Sequence, residues 1–307
     1  MNQRLLITGS CGLVGSALRL ALKEQGIDTQ GLDLRGIDDE AGDVRDADRV
    51  RASIGNCSGI IHLAAVSRVI WGERNPELCW ATNVDGLRNV LDAALDRDDP
   101  PWVIFASSRE VYGQPASLPA AESASLQPVN IYGRSKAEGE LLVSRARAKG
   151  LRAATVRLSN VYGHTADHVD RVVPAFVQAA IAGSQLRVDG ADHVFDFTHV
   201  DDSARGIVAL ANHLQAGHDA PLPVHFLTGQ ATTLWQLATL AVELAGTGAS
   251  IAQAPPRTFD VSRFYGNPQR ALDLLGWVPQ VTLRSGLIRL IHDMRAAHAA
   301  RHIEEVL

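Results

Sequence analysis

Short apolar runs alternate with longer stretches of helical period through the first half of the chain. The runs at 4–8, 29–33, 59–63, 102–107 and 152–158 read as strands, and 13–25, 77–95 and 130–149 read as helices. Strands separated by helix-length segments predict βαβ units, that is, a parallel sheet with helices on both faces. Asn75-Pro76 is a helix start, with Asn as N-cap and Pro at the first helical position. The pattern changes after residue 160: 164–171 is a loop, 172–183 helical, 186–189 extended, 201–213 helical, 224–227 a strand and 234–245 helical. Residues 254–257 read as loop, and two short helices finish the chain. The fold class expected is α/β, a Rossmann-type doubly wound sheet over 1–163. Residues 164–307 are expected to form mainly a smaller, interleaved α/β substrate-binding lobe, with segments returning to the sheet.

Composition narrows the partners. The 307 residues are 46% hydrophobic and 21% charged, as in an ordinary folded globule. A net charge of -5 gives no basic field for nucleic acid. No apolar run approaches the roughly 20 residues of a membrane span, and the start reads as a strand, not a signal peptide. Cys11, Cys57 and Cys79 are odd in number and lack metal-type spacing, so no metal is expected and reduced thiols in a cytoplasm are.

Two motifs carry chemistry. Gly9-x-x-Gly12-x-x-Gly15 joins the first strand to the first helix, where glycines let the backbone approach a pyrophosphate and the helix N-terminus offers N–H donors. Cys11, Leu13 and Val14 belong to the same loop. Asp33 ends the second strand, placed to hydrogen-bond a ribose diol; that favours NAD over NADP, although Arg35 blurs the preference. Tyr132 and Lys136 are four apart, on one helix face, and an ammonium beside a phenol lowers the pKa of the phenol. Ser107-Ser108 lies between the two motifs. His62, flanked by apolar residues, is expected to be a packed, hydrogen-bonded histidine.

Taken in order, these motifs resemble the extended short-chain dehydrogenase/reductases, specifically the NAD-dependent sugar epimerase/dehydratase group. Gly42-Asp43-Val44-Arg45-Asp46, His62-Leu63-Ala64-Ala65, Asn83-Val84-Asp85-Gly86, Ser107-Ser108-Arg109-Glu110-Val111-Tyr112-Gly113 and Arg157-Leu158-Ser159-Asn160-Val161-Tyr162-Gly163 complete the likeness. The resemblance implies NAD bound along Asp43, Val44, Leu63, Ala64, Ala65 and Asn83, with Lys136 on its ribose. It implies Tyr132 as acid/base, Ser108 on the reacting hydroxyl, Ser107 and Asn160 near the substrate, and Arg257 on a nucleotide diphosphate. A homodimer through a four-helix interface is implied as well.

The reaction favoured is nucleotide-sugar epimerisation through a transient keto sugar. A dehydratase or decarboxylase using Glu110 is the alternative, and Arg109 counts against it, because guanidinium stands where a proton-donating acid is needed. Phe195 stands where the group commonly has a diphosphate-binding arginine. A non-nucleotide sugar or small alcohol as substrate therefore stays open, with Arg171 or Arg187 able to take part of the grip. A non-catalytic NAD sensor is the reading from another class.

Overall fold

A computed structural model describes residues 4–256 and 261–304. The chain opens with β1 (Arg4–Thr8), α1 (Leu13–Glu24), β2 (Asp28–Leu32), α2 (Ala47–Ile54) and β3 (Gly59–His62). Helices α3 (Val69–Arg74), α4 (Pro76–Trp80) and α5 (Gly86–Leu95) lead to β4 (Trp102–Ser108), α6 (Ile131–Ala148), β5 (Ala153–Leu158) and β6 (Asn160–Tyr162). Then come α7 (Val172–Ile181), β7 (Leu186–Asp189), β8 (Val194–Phe195), β9 (Phe197–His199), α8 (Val200–Gln215) and β10 (Val224–Phe226). The last are β11 (Thr232–Thr233), α9 (Leu234–Ala245), β12 (Ile251–Ala254), α10 (Gln269–Leu275) and α11 (Leu283–Glu304).

Six strands form one parallel sheet in the order β10-β5-β4-β3-β1-β2. Its register explains the two-sided core. Leu6, Ile60, Val103 and Ala153 are paired across four strands and face one layer, which α2, α5 and α6 cover. Their neighbours Ile7, Ile61, Ile104 and Ala154 face the other, covered by α1 and α8. A strand buried on both faces must be apolar at every position, which is why these segments read as continuous runs. Each fully buried Ile or Leu contributes about 1.5–3 kcal/mol. A third core gathers Phe176 of α7, Val188 of β7, Leu237 of α9 and Leu290 of α11, apart from the large sheet. Strand β10 and helix α8 return to the large sheet from this half.

Three expectations need correction. The helix read at 77–95 is interrupted by a π turn, Ala81–Asp85, which carries Asn83 into the protein. Its Oδ1 accepts from Val66 N–H at 2.8 Å and its Nδ2 donates to Ser135 Oγ at 2.9 Å, so the wider turn satisfies a buried amide. The final helix is not short: α11 runs for 22 residues. Ala254 is in β12, paired with Asp189, and not in a loop. The cap at Asn75 is present, with Oδ1 accepting from Leu78 N–H at 3.0 Å.

Candidate active site

The glycine loop follows β1, whose neighbours β2 and β3 are reached in opposite directions along the sheet. Crevices at such switch points are where doubly wound sheets bind ligands. Gly9 has φ 71°, and a Cβ there would lie 2.7 Å from Ala64 N. A Cβ on Gly15 would lie 2.2 Å from Gly9 O, so helix and loop are in backbone contact. Gly9, Gly12, Leu13, Val14, Gly15, Asp33, Asp43, Val44, Leu63, Ala64 and Ala65 line one end of a cleft of about 710 Å³. Asp33 is fixed from both sides: Oδ2 accepts from Cys11 N–H at 3.0 Å and Oδ1 from Arg35 N–H at 2.8 Å. Cys11 therefore serves through its peptide group, which orients Asp33, and its carbonyl accepts from Arg35 at 2.6 Å. The Arg45 guanidinium holds the Asp43 carboxyl below its usual range. Asn83, expected on the cofactor, is buried, with its amide bonded to Val66 and Ser135. It shapes the loop after β3 from behind.

At the other end, β4 delivers Ser108 and α6 delivers Tyr132 and Lys136, and all three line the cleft. Helix α6 starts there because Asn130 Oδ1 accepts from Gly133 N–H at 2.7 Å. Lys136 Nζ donates to Ala106 O at 2.8 Å and sits 5.9 Å from the centre of the Tyr132 ring. The expected lowering of the tyrosine pKa is not what this arrangement gives. Burial pushes Tyr132 up to about 12, against a hydrogen bond with Ser108 and the charge of Arg171, which both pull it down. Burial also pushes Lys136 down to about 8. Desolvation thus outweighs the helical-turn pairing, and in the protein alone Tyr132 is a phenol. His62 is wholly buried with Nδ1 2.8 Å from Thr8 Oγ1, and burial pushes it down to about 3, so it is a neutral packed residue.

Ser107 lines the cleft, with its hydroxyl engaged by the protein. Its hydroxyl donates to Glu140 at 2.6 Å, and Glu140 pairs with Arg157 at 2.6 Å. Arg157 donates in turn to Tyr112 Oη, which is 2.6 Å from His225 Nε2. Glu110 is also engaged: it pairs with Arg109 Nη2 at 2.8 Å and accepts from Asn130 Nδ2 at 2.8 Å. Asn160 lines the cleft and accepts from Arg109 Nε at 2.8 Å. Arg187 lines it too, paired with Asp189 at 2.8 Å. Arg257 lies outside the described residues.

The sequence reading missed Asp167 and the loop contacts around it. Asp167 is buried, its carboxyl raised by desolvation, 3.4 Å from Arg171 Nε. Arg171 also donates to Ser67 at 3.2 Å, while Arg68 pairs with Asp170 and Trp71 meets His168 edge-on at 4.7 Å. These contacts join the loop after β3 and the start of α3 to the loop after β6. The four-residue spacing of Asp167 and Arg171 was the one visible signal. Among the described residues no cluster of His, Cys, Asp or Glu could hold a metal ion, and no helix is long and apolar enough to cross a membrane.

A phenol and an ammonium one helical turn apart, opening on a cleft that a glycine loop shapes for a dinucleotide, define an NAD-dependent enzyme of the extended short-chain dehydrogenase/reductase class. Residues 5–222 match the model of the NAD dependent epimerase/dehydratase family, and the chain belongs to that family. It is 29% identical over 312 residues to a UDP-glucose 4-epimerase of Rhizobium meliloti (strain 1021), covering 92% of this chain and 94% of the relative. A dTDP-glucose 4,6-dehydratase of Streptomyces griseus is 31% identical over 252 residues, 81% of this chain and 74% of that one. The crystal structure of a UDP-glucose 4-epimerase from Brucella ovis in complex with NAD matches with a TM-score of 0.84 at 27% identity, covering 94% and 97% of the two chains. The backbone cradle at Gly9 and Gly15, which any side chain would fill, fits NAD as the cofactor.

Proposed function

We propose that this chain is an NAD-dependent epimerase that inverts one carbon of a UDP-hexose, UDP-glucose foremost, through a transient keto sugar. The observation that carries epimerisation over dehydration is Glu110. The carboxylate beside the redox residues is committed to Arg109 and Asn130, and Arg109 can donate no proton at neutral pH.

NAD, when bound, supplies reversible hydride acceptance. The chain's own residues manage the proton and the oxygen. Tyr132 takes the proton of the sugar hydroxyl and later returns it. Ser108 donates a hydrogen bond to the oxygen as charge develops on it. Lys136, anchored on Ala106 O, steadies the cofactor ribose and the phenolate. Because Tyr132 starts as a phenol with a pKa of about 12, its base form has to be drawn out by Ser108 and Arg171, which pull that value down. Asn160 and Arg257 hold the sugar and diphosphate, with Arg171 beside the reacting group. Exposed Trp71, Leu78, Trp80 and Leu141 on α3, α4 and α6 support a homodimer packed through these helices. The buried free thiols of Cys57 and Cys79 support a cytoplasmic location.

The test is incubation with NAD and a panel of nucleotide sugars, with products separated by chromatography and weighed. UDP-glucose converted to an isomer of unchanged mass is the expected result. Products lighter by one water overturn the reading in favour of a dehydratase.

A further inference from the structure

The two positions where the chain departs from the pattern it resembles meet in space. The guanidinium carbon of Arg109 lies 4.5 Å from the centre of the Phe195 ring and 6.0 Å from that of Phe264. Nε donates to Asn160 Oδ1 at 2.8 Å and Nη2 pairs with Glu110 Oε1 at 2.8 Å. Those two nitrogens form one edge of the planar fork, so the orientation of the group is fixed. Nη1 is left buried with no hydrogen-bond partner among the described residues. Arg109, Glu110, Asn160 and Phe195 all line the main cleft.

A buried N–H without an acceptor is costly, more so on a cation, and native proteins keep few of them. Here the cost is maintained by the adjacent Glu110 and by two distant segments that grip the same side chain. The aromatic rings beneath add attraction for the cation but no hydrogen-bond acceptor. A charge-assisted bond to an anionic oxygen is about twice as strong as one between neutral groups. We propose that Arg109, stacked on Phe195 and held by Glu110 and Asn160, is this chain's own grip on an anionic oxygen of its substrate, a phosphoryl oxygen or a sugar carboxylate. The inference rests on the nucleotide-sugar reading above. Phe195 is then the platform of a relocated cation, and Glu110 is a positioning residue for it.

The experiment measures the affinity of the NAD-loaded protein for UDP, UDP-glucose and UDP-glucuronic acid by calorimetry. Native protein is compared with Arg109→Met, Arg109→Met/Glu110→Gln and Phe195→Leu; the double variant removes the carboxylate that the single one strands. A loss of about tenfold or more for all three ligands in both Arg109 variants assigns the oxygen to a phosphoryl group. The same loss confined to UDP-glucuronic acid assigns it to a carboxylate. Unchanged affinities, or a loss seen in the single variant only, overturn the proposal. Retained NAD binding reports that each variant is folded. If the Arg109 variants fail that check, Phe195→Leu decides: a loss of about twofold to fivefold supports the grip, and native affinity overturns it. Native protein that binds none of the three overturns the nucleotide-sugar reading itself, and the grip with it.

Discussion

At the cofactor end of the cleft the shape comes from backbone, whereas at the sugar end it comes from side chains that hold one another. Gly9 and Gly15 leave no room for a Cβ, and Asp33 is fixed by two peptide N–H groups. Opposite them, Arg109 is held by the adjacent Glu110 and by Asn160 and stacked on Phe195, two of the three contacts drawn from distant segments. A backbone site tolerates almost no change in the size of its residues but is indifferent to remote ones. A side-chain site depends on partners that the chain brings in from far away.

The sharpest way to break this contrast is Tyr132→Phe. Turnover should fall by about 10²- to 10⁴-fold, since general acid/base work is removed, while NAD affinity stays within about twofold. A variant that kept native kcat would place the proton work elsewhere. At the backbone end, Gly15→Ala should weaken NAD binding on the order of a hundredfold or prevent folding, because the new methyl would sit 2.2 Å from Gly9 O. Native NAD affinity and an unshifted Tm together would show that the loop yields, contrary to a rigid cradle.

The floor beneath both ends can be probed by pH. His62 and His225 are each pushed by burial from 6.5 to about 3. Between those values the unfolded chain binds protons that the folded chain refuses, so stability falls as pH drops from 6.5 toward 3. Near pH 5 each histidine costs about 2 kcal/mol. His62→Gln should remove about half of that acid sensitivity, measured as Tm against pH, and an unaltered slope would contradict the assignment. Asp33→Ala is expected to have the smallest effect, about tenfold weaker NAD binding, with a narrower preference over NADP. A stronger preference for NAD would contradict its place on the ribose.

The parallel sheet was legible because its strands are buried on both faces and its helices are long and periodic. The glycine loop was legible because steric need shows directly as residue type. The burial of Asn83 was not legible because a π turn does not announce itself in hydrophobic period. The hydrogen bond of Ser107 was not legible because its partner, Glu140, lies 33 residues further along the chain in α6. The tyrosine pKa was misjudged for a different reason: spacing shows which charges are neighbours, but not how much water they lose. Arg109 and Phe195 were visible as two departures, yet nothing in the linear order says that one lies on the other.

The chain of bonds from Ser107 through Glu140, Arg157 and Tyr112 to His225 acts as a tie rod across the sheet. It fastens the end of β4, and Ser108 with it, to α6, which carries Tyr132, and then to β10 at the sheet edge. The distance between hydroxyl and phenol is therefore gauged by residues outside the reacting pair. A strand contributed by the second half of the chain keeps the tolerance of a reaction centre built in the first.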